Sequence, residues 1–263
     1  MYVDTDGVVI RQVKTTDGRR MLLLFTRQYG KISAGTSINE RGKSKSALAI
    51  RPFTYGHYDI FKGRNYFSLN GAEVKNSFYK IGEDVDKFML ASQMLEFTDK
   101  LLPEGEPNER IFDTLVEFFS LLAERKSKHE TLSAAYQFRA LKFAGLEPQL
   151  TACTSCGKKL RGGEGADYTY FSVKDGGLLC EDCAAEAKRA AEGGKNLIYK
   201  VRFDIIDILR YFMNNPLEKL KTVGLEAEKQ KEVSKILSAY IEYHLGIEDI
   251  MSKDIYNLLK ENN

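Results

Sequence analysis

The chain has 263 residues, 43% hydrophobic and 29% charged, with a formal net charge of +2. That length can bury a substantial core and hold two domains, and the composition excludes disordered and fibrous classes. The near-neutral total conceals an imbalance: Gly7 to Arg64 carries twelve basic residues against three acidic ones, Asp17, Glu40 and Asp59. A segment that binds a polyanion accounts for this better than a generally solvated surface does.

In chain order, the first eighty or so residues read as strands. GVVIRQV, RRMLLLFT and YGKISAGTS are short apolar or β-branched runs broken by Asp-Gly and by Gly30. PFTYGHYDIFKG and NYFSLNGAEVKNSF continue them, with an Asn-Gly turn expected at 70–71. Five short strands predict a small antiparallel barrel, because curling removes exposed edges; a small sandwich is the alternative. From about residue 82 the period becomes helical: Phe88, Ala91, Leu95, Thr98 and Leu102, then Ile111, Leu115, Phe118 and Leu122, then Leu132, Tyr136, Ala140 and Phe143. After a cysteine-rich segment, Ala184 to Ala191 reads as a short helix. Asn215, Pro216 and Glu218 fit N-cap, N1 and N3 of another, Val233 to His244 marks a third, and a last is expected over Ser252–Leu259. The fold class predicted is α+β: a barrel domain over 1–80 and a helical domain over 81–263, with the cysteine module at 150–185 inserted in the latter.

No apolar run reaches the roughly 18 residues of a membrane span, and MYVDTDGVV lacks the basic region and apolar core of a signal peptide. A cytoplasmic location follows as the expectation, and thiols stay reduced there. All four cysteines form two CxxC pairs, Cys153/Cys156 and Cys180/Cys183, with 23 residues between them. Two such turns can complete a tetrahedron of thiolates, so one structural Zn2+ per chain is the favoured reading. Disulfides, a thioredoxin-like pair and iron are the alternatives. Lys158, Lys159 and Arg161 stand close enough to offset the charge of a four-thiolate centre. Four protein ligands leave no open position for catalysis. His57, His129 and His244 are scattered, and no Walker loop, GxGxxG after a strand, GxSxG or HExxH occurs. Asp204 with Asp207 reads as an ordinary solvated helix face, so no catalytic residue is assigned.

The candidate DNA-binding cations are Arg11, Lys14, Arg19, Arg20, Arg27, Lys31, Arg41, Lys43, Lys45 and Arg51, with Arg139 and Arg161 extending the path onto the helical body. Phe53, Tyr55, Tyr58 and Phe61 interleave with the last of the barrel cations. Exposed rings there would stack bases while cations track phosphates; rings buried in the core are the competing reading.

GVVIRQVKTTDGRRMLLLFTRQYGKIS, RGKSKSALAIRPFTYGHYDIF, AYQFRALKFAGLEPQLTACTSCG, FSVKDGGLLCEDC and AYIEYHLG, in this order, resemble the bacterial RecO family of recombination mediators over nearly the whole chain. The ending, IEDIMSKDIYNLL, departs from that family's basic, serine-containing terminus. The resemblance implies an N-terminal OB-fold, a helical domain with a zinc module, and binding to single- and double-stranded DNA with annealing of complementary strands. It also implies RecR and the tail of single-strand DNA-binding protein as partners, the RecA filament indirectly, and work at the nucleoid without a membrane. A zinc-containing protein–protein adaptor with a scaffold barrel is the alternative function, and a metal-dependent nuclease is a third reading.

Overall fold

The β-branched and aromatic runs at the N-terminus fold as a ring of strands. The structure, a computed structural model, describes residues 1–15, 20–38, 45–162, 167–190 and 197–247. Strands β1 (Tyr2–Lys14), β2 (Arg20–Thr26), β3 (Gly30–Thr36), β4 (Tyr55–Lys62) and β5 (Phe67–Asn76) pair in the order β1-β2-β3-β5-β4, and β4 returns to β1 to close the barrel. The expectation of an antiparallel barrel is corrected by the seam between β3 and β5, which is parallel and pairs Ala34, Gly35 and Thr36 with Phe67, Ser68 and Leu69. Parallel neighbours need a long crossover, and helix α1 (Lys45–Ala49) with β4 lies within this one. Asn70–Gly71 is likewise no turn. It lies inside β5 opposite a register shift at Asp59/Ile60, and a Cβ on residue 71 would come within 2.5 Å of the Asp59 carboxylate.

Strand alternation sends Val9, Leu22, Leu24, Ile32, Ala34, Tyr58, Ile60 and Leu69 into one core. The fully buried Tyr58 directs its hydroxyl to the Ala49 carbonyl at 2.7 Å, which satisfies the one polar atom it carries inward. Helices α2 (Tyr79–Gly82), α3 (Val85–Leu101) and α4 (Glu109–Glu124) follow. Asp84 caps α3 by accepting from the Asp86 and Lys87 amides, and Asn108 caps α4 by accepting from Ile111. Their apolar faces meet the sheet through rings: Phe25 against Phe112 at 5.5 Å, Phe53 against Phe88 at 5.4 Å and Phe119 at 5.9 Å. The chain accordingly divides into two compact units, one formed from Met1–His129 and one from the described residues of Glu130–Asp249.

The second unit is mainly helical and carries a small sheet of its own beside the cysteines. Besides α5 (His129–Phe143), α6 (Glu181–Ala190), α7 (Phe203–Asn214) and α8 (Ala227–Leu245), it contains β6 (Tyr168–Ser172), β7 (Gly177–Leu179) and β8 (Ile198–Arg202). These pair antiparallel in the order β7-β6-β8. Phe171 of β6 packs at 6.0 Å from Tyr240 of α8, and His244 places a ring nitrogen 2.8 Å from the Val173 carbonyl. Asn215 closes α7, its amide donating to the Tyr211 carbonyl at 3.1 Å, and only a 3-10 turn over Leu217–Leu220 follows Pro216. The helix expected over 252–259 lies outside the described residues. Among those described, no helix is long and apolar enough to cross a membrane.

Candidate metal centre and nucleic-acid interface

Two short turns bring the cysteines together. Residues 151–160 fold back on themselves: the Leu160 amide donates to Thr151, Cys153 to Lys158, and Gly157 to Cys153. Gly157 takes a φ of +75°, which a residue with a side chain adopts only at a cost. The Thr154 amide donates to Leu178, which fixes this turn against β7. β7 then delivers Cys180, and α6 presents Cys183 in its first turn, where the Ala184 amide bonds back to the Cys180 carbonyl.

All four sulfurs lie within 4.8 Å of one another as free thiols, with Cys153 and Cys180 buried and Cys156 exposed. Cys156 Sγ and Cys180 Sγ stand 3.8 Å apart. Ligands at about 2.3 Å around a tetrahedral zinc would be separated by about 3.8 Å, so the donor set fits. Burial raises the Cys153 thiol, but amides of Cys156, Cys180 and Ser155 outweigh it and bring the group down to about 6. At Cys183 the Ser155 hydroxyl lowers the thiol, yet crowding by Cys180, Cys156 and Cys153 pushes it up to about 12. Four thiols this close cannot all ionise without a cation among them. Leu179 and Ala184, with Leu160, Tyr170, Ala187 and Ile198 beside them, pack around the cluster. No other group of three or more His, Cys, Asp or Glu gathers in this way among the described residues.

The candidate DNA contacts are dispersed by the fold into three kinds of place. Lys14, Arg51 and Arg161 are exposed, and Arg20 is half-buried. Arg19, Arg41 and Lys43 lie outside the described residues, as does the side chain of Lys45. Arg11, Arg27 and Lys31 turn toward the helices of their own unit. Lys31 Nζ donates to the Asp99 carbonyl at 2.6 Å and to its carboxylate at 2.9 Å, and Arg11 reaches the same carboxylate at 3.4 Å. Asp99 belongs to the last turn of α3, whose carbonyls lack intrahelical partners, so Lys31 acts as a C-terminal cap. Arg27 pairs with Asp113 and lies 5.0 Å above the Phe112 ring; burial lowers its guanidinium, but the Asp113 pair raises it net above its ordinary value. Arg139, on α5, donates to the Asn215 carbonyl and lies 5.1 Å from the Phe143 ring centre.

The interleaved aromatics separate by strand phase. Phe53 and Tyr58 are buried, Tyr55 donates its hydroxyl to Asp6 at 3.1 Å, and Phe61 is half-buried beside Tyr2. Tyr2, Lys62, Arg64 and Tyr66 share that end of the sheet and were not among the candidates. Tyr58 falls in phase with Ile60 while Tyr55 and Phe61 fall out of phase, and that alternation was the signal available.

Two family models match, one for the N terminal part of Recombination protein O over residues 1–78 and one for its C terminal part over residues 82–254. The chain belongs to the RecO family. Among RecO relatives, the DNA repair protein RecO of Thermoanaerobacter sp. (strain X514) is 30% identical over 256 residues, covering 97% of each chain. That of Alkaliphilus metalliredigens is 29% identical, over 97% of this chain and 98% of its own. RecO of Clostridium acetobutylicum is 28% identical over 97% of both.

Proposed function

We propose that this chain is a non-enzymatic recombination mediator: it binds single- and double-stranded DNA, anneals complementary strands without ATP, and helps a RecA-type recombinase replace single-strand DNA-binding protein. The observation that carries this reading is membership of the RecO family along both parts of the chain. The exposed Lys14 and Arg51 and the half-buried Arg20 support it, and Arg19, Arg41, Lys43 and Lys45 add charge in sequence. Such cations neutralise two backbones on one protein, lowering their mutual repulsion while the base edges stay free to pair. Arg161 offers a further phosphate contact.

Cys153, Cys156, Cys180 and Cys183 would hold one structural Zn2+, which contributes folding energy and no bond chemistry. DNA contact belongs to the segment 1–80, and the remainder, with its cysteine module at 150–185, meets RecR and the tail of single-strand DNA-binding protein. Its place of work is the nucleoid. The test follows duplex formation between complementary oligonucleotides precoated with single-strand DNA-binding protein, in nucleotide-free buffer. Faster pairing with the protein than without it is expected. No acceleration while naked strands still bind would refute the mediator reading.

One observation favours the second reading, a protein adaptor. Lys31 and Arg27 are paired with Asp99 and Asp113, which takes two of the twelve cations from a DNA surface. An adaptor would bind a labelled oligonucleotide weakly at every salt concentration. A mediator binds at low salt and loses affinity as salt rises.

A further inference from the structure

Rings and carboxylates share one outward face of the five-stranded barrel. Tyr2 of β1 pairs with Phe61 of β4, and their rings meet edge to face at 5.3 Å. Tyr66 lies 6.0 Å from Phe61. Tyr2 is 77% exposed and Tyr66 59%, although aromatic rings ordinarily gain most by burial. The next outward rung along the same strands sets exposed Asp4 opposite exposed Asp59. The rung after it holds Asp6, His57 and the exposed Glu73 of β5. Four of the six acidic residues in the first eighty positions therefore lie on this face, Asp17 and Glu40 being the other two.

The charge of this face is only partly answered. Asp6 is satisfied by Lys75 at 2.7 Å and by His57 at 2.9 Å. The second ring nitrogen of His57 stands 3.5 Å from Asp4, whose side chain remains 70% exposed. Asp59 and Glu73 have no ion-pair partner among the described residues. Lys62 turns its ammonium to the core side, 5.2 Å from the Tyr29 ring centre and 5.9 Å from that of Phe67. The Met1 amine, which donates to the Lys62 carbonyl, and the exposed Arg64 lie past the rings, away from the carboxylates. We propose that this face docks a basic protein segment, with an arginine guanidinium lying against Tyr2 and Phe61 and donating to Asp4 and Asp59. Such docking goes beyond the mediator reading and holds whether or not the chain binds DNA.

Charge and spacing select this occupant. The carboxylates do not converge on one point as ligands of a small ion would; among the described residues only the cysteines do so. They are spread over strands about 4.8 Å apart and rungs about 7 Å apart. A segment laid along the strands presents alternate side chains at the same spacing of about 7 Å. An Arg-X-Arg pattern then meets Asp4 and Asp59 with one guanidinium and Glu73 with the next. A guanidinium is planar, so it stacks on a ring while its edge donates to a carboxylate, which a compact ammonium matches less well. Phosphates have the wrong sign for this face, and an apolar segment would bury its carboxylates unpaired.

The full-length protein is titrated by fluorescence polarisation with a labelled decapeptide of alternating Arg and Ser, and with its Lys counterpart. Stacking should favour the Arg peptide by about threefold or more. Asp4→Asn with Asp59→Asn should weaken its binding by about fivefold or more. Glu104→Gln with Glu106→Gln removes two exposed charges from a loop of the same unit and should change affinity by less than about twofold. Tyr2→Ala with Tyr66→Ala should bring the Arg peptide down to the level of the Lys peptide, whereas Tyr2→Phe with Tyr66→Phe should not. All these side chains are exposed, so the thermal melts should not move. The docking face is overturned if the unmodified protein fails to bind the Arg peptide or binds both peptides alike. It also fails if the loop variant loses as much affinity as the Asp4 and Asp59 variant, which is adsorption to any negative charge. Labelled oligothymidylate should bind the alanine variant as it binds the unmodified protein. A loss there would give the rings to nucleic acid, and protein docking would fall.

Discussion

Replacing Lys31 by Met would keep the aliphatic stem and delete the ammonium that caps α3. That ammonium makes two hydrogen bonds to Asp99, at 2.6 and 2.9 Å, and the side chain is only 11% exposed. Hydrogen bonds to charged groups contribute about 1.5–3 kcal/mol, and breaking a buried ion pair costs about 3–5 kcal/mol. Asp99 would retain Arg11 at 3.4 Å, which places the loss near the lower end. Lys31→Met should therefore destabilise the first unit by about 2–3 kcal/mol, on the order of a 1 M fall in urea midpoint for a denaturant slope of about 1–3 kcal/mol per molar. Affinity for a labelled oligonucleotide at fixed salt should change by less than about twofold, since the ammonium is already committed to Asp99. Paired urea melts and polarisation titrations give both numbers. An unchanged midpoint with a several-fold loss of affinity would show that Lys31 faces the ligand, and the capping argument would be wrong.

Gly30→Ala should destabilise by about 2–4 kcal/mol in a thermal melt, combining a left-handed backbone with overpacking. Its φ is +63° and a Cβ would fall 2.2 Å from the Glu106 carbonyl oxygen. Elemental analysis of protein purified without added metal should find about one zinc per chain, and Cys156→Ser should lower both that content and the melting temperature; a metal-free, folded protein with four free thiols would contradict this. Burial raises the Asp6 carboxyl, but hydrogen bonds from Lys75, His57 and Tyr55 outweigh it and hold the group below its usual value. A depressed carboxyl stabilises the fold above its unfolded pKa of about 3.9 and loses that contribution as pH falls through the lower folded value. Asp6→Asn should accordingly be less stable at neutral pH and lose less stability on acidification, as read by urea midpoints at pH 7 and below 4. Parallel acid profiles for the two proteins would be inconsistent with the network.

Local patterns were legible, and long-range partners were not. The CxxC pairs announced a four-thiol centre because each spacing is set within a single turn. Helices α3, α4 and α5 followed from their apolar period, since each buries one face. Asn70–Gly71 misled because the dipeptide favours turns only where the strands need one, and here Gly71 relieves crowding by Asp59 instead. The strands of the second unit were too short to separate from the turns around the cysteines; β7 has three residues. Arg27 and Lys31 looked like free strand cations because their partners stand 86 and 68 residues away. Nothing in the neighbouring sequence marks Asp113 or Asp99 as theirs.

The parallel seam has a consequence in time. It pairs three residues of each strand, whereas the antiparallel seams of the ring pair seven or eight. Ala34 must wait for Phe67, and such a separation carries a loop-closure penalty before any ladder bond repays it. The hairpin of β1 with β2, and that of β4 with β5, can each form from local contacts. The β3–β5 seam, held by the fewest ladder pairs of the ring, is then the first to reverse. Native-state hydrogen exchange should find the amides of Ala34–Thr36 and Phe67–Leu69 opening ahead of the remaining ladder. Each such opening briefly uncovers two strand edges, so this narrow latch is where a second copy of the chain could begin to pair.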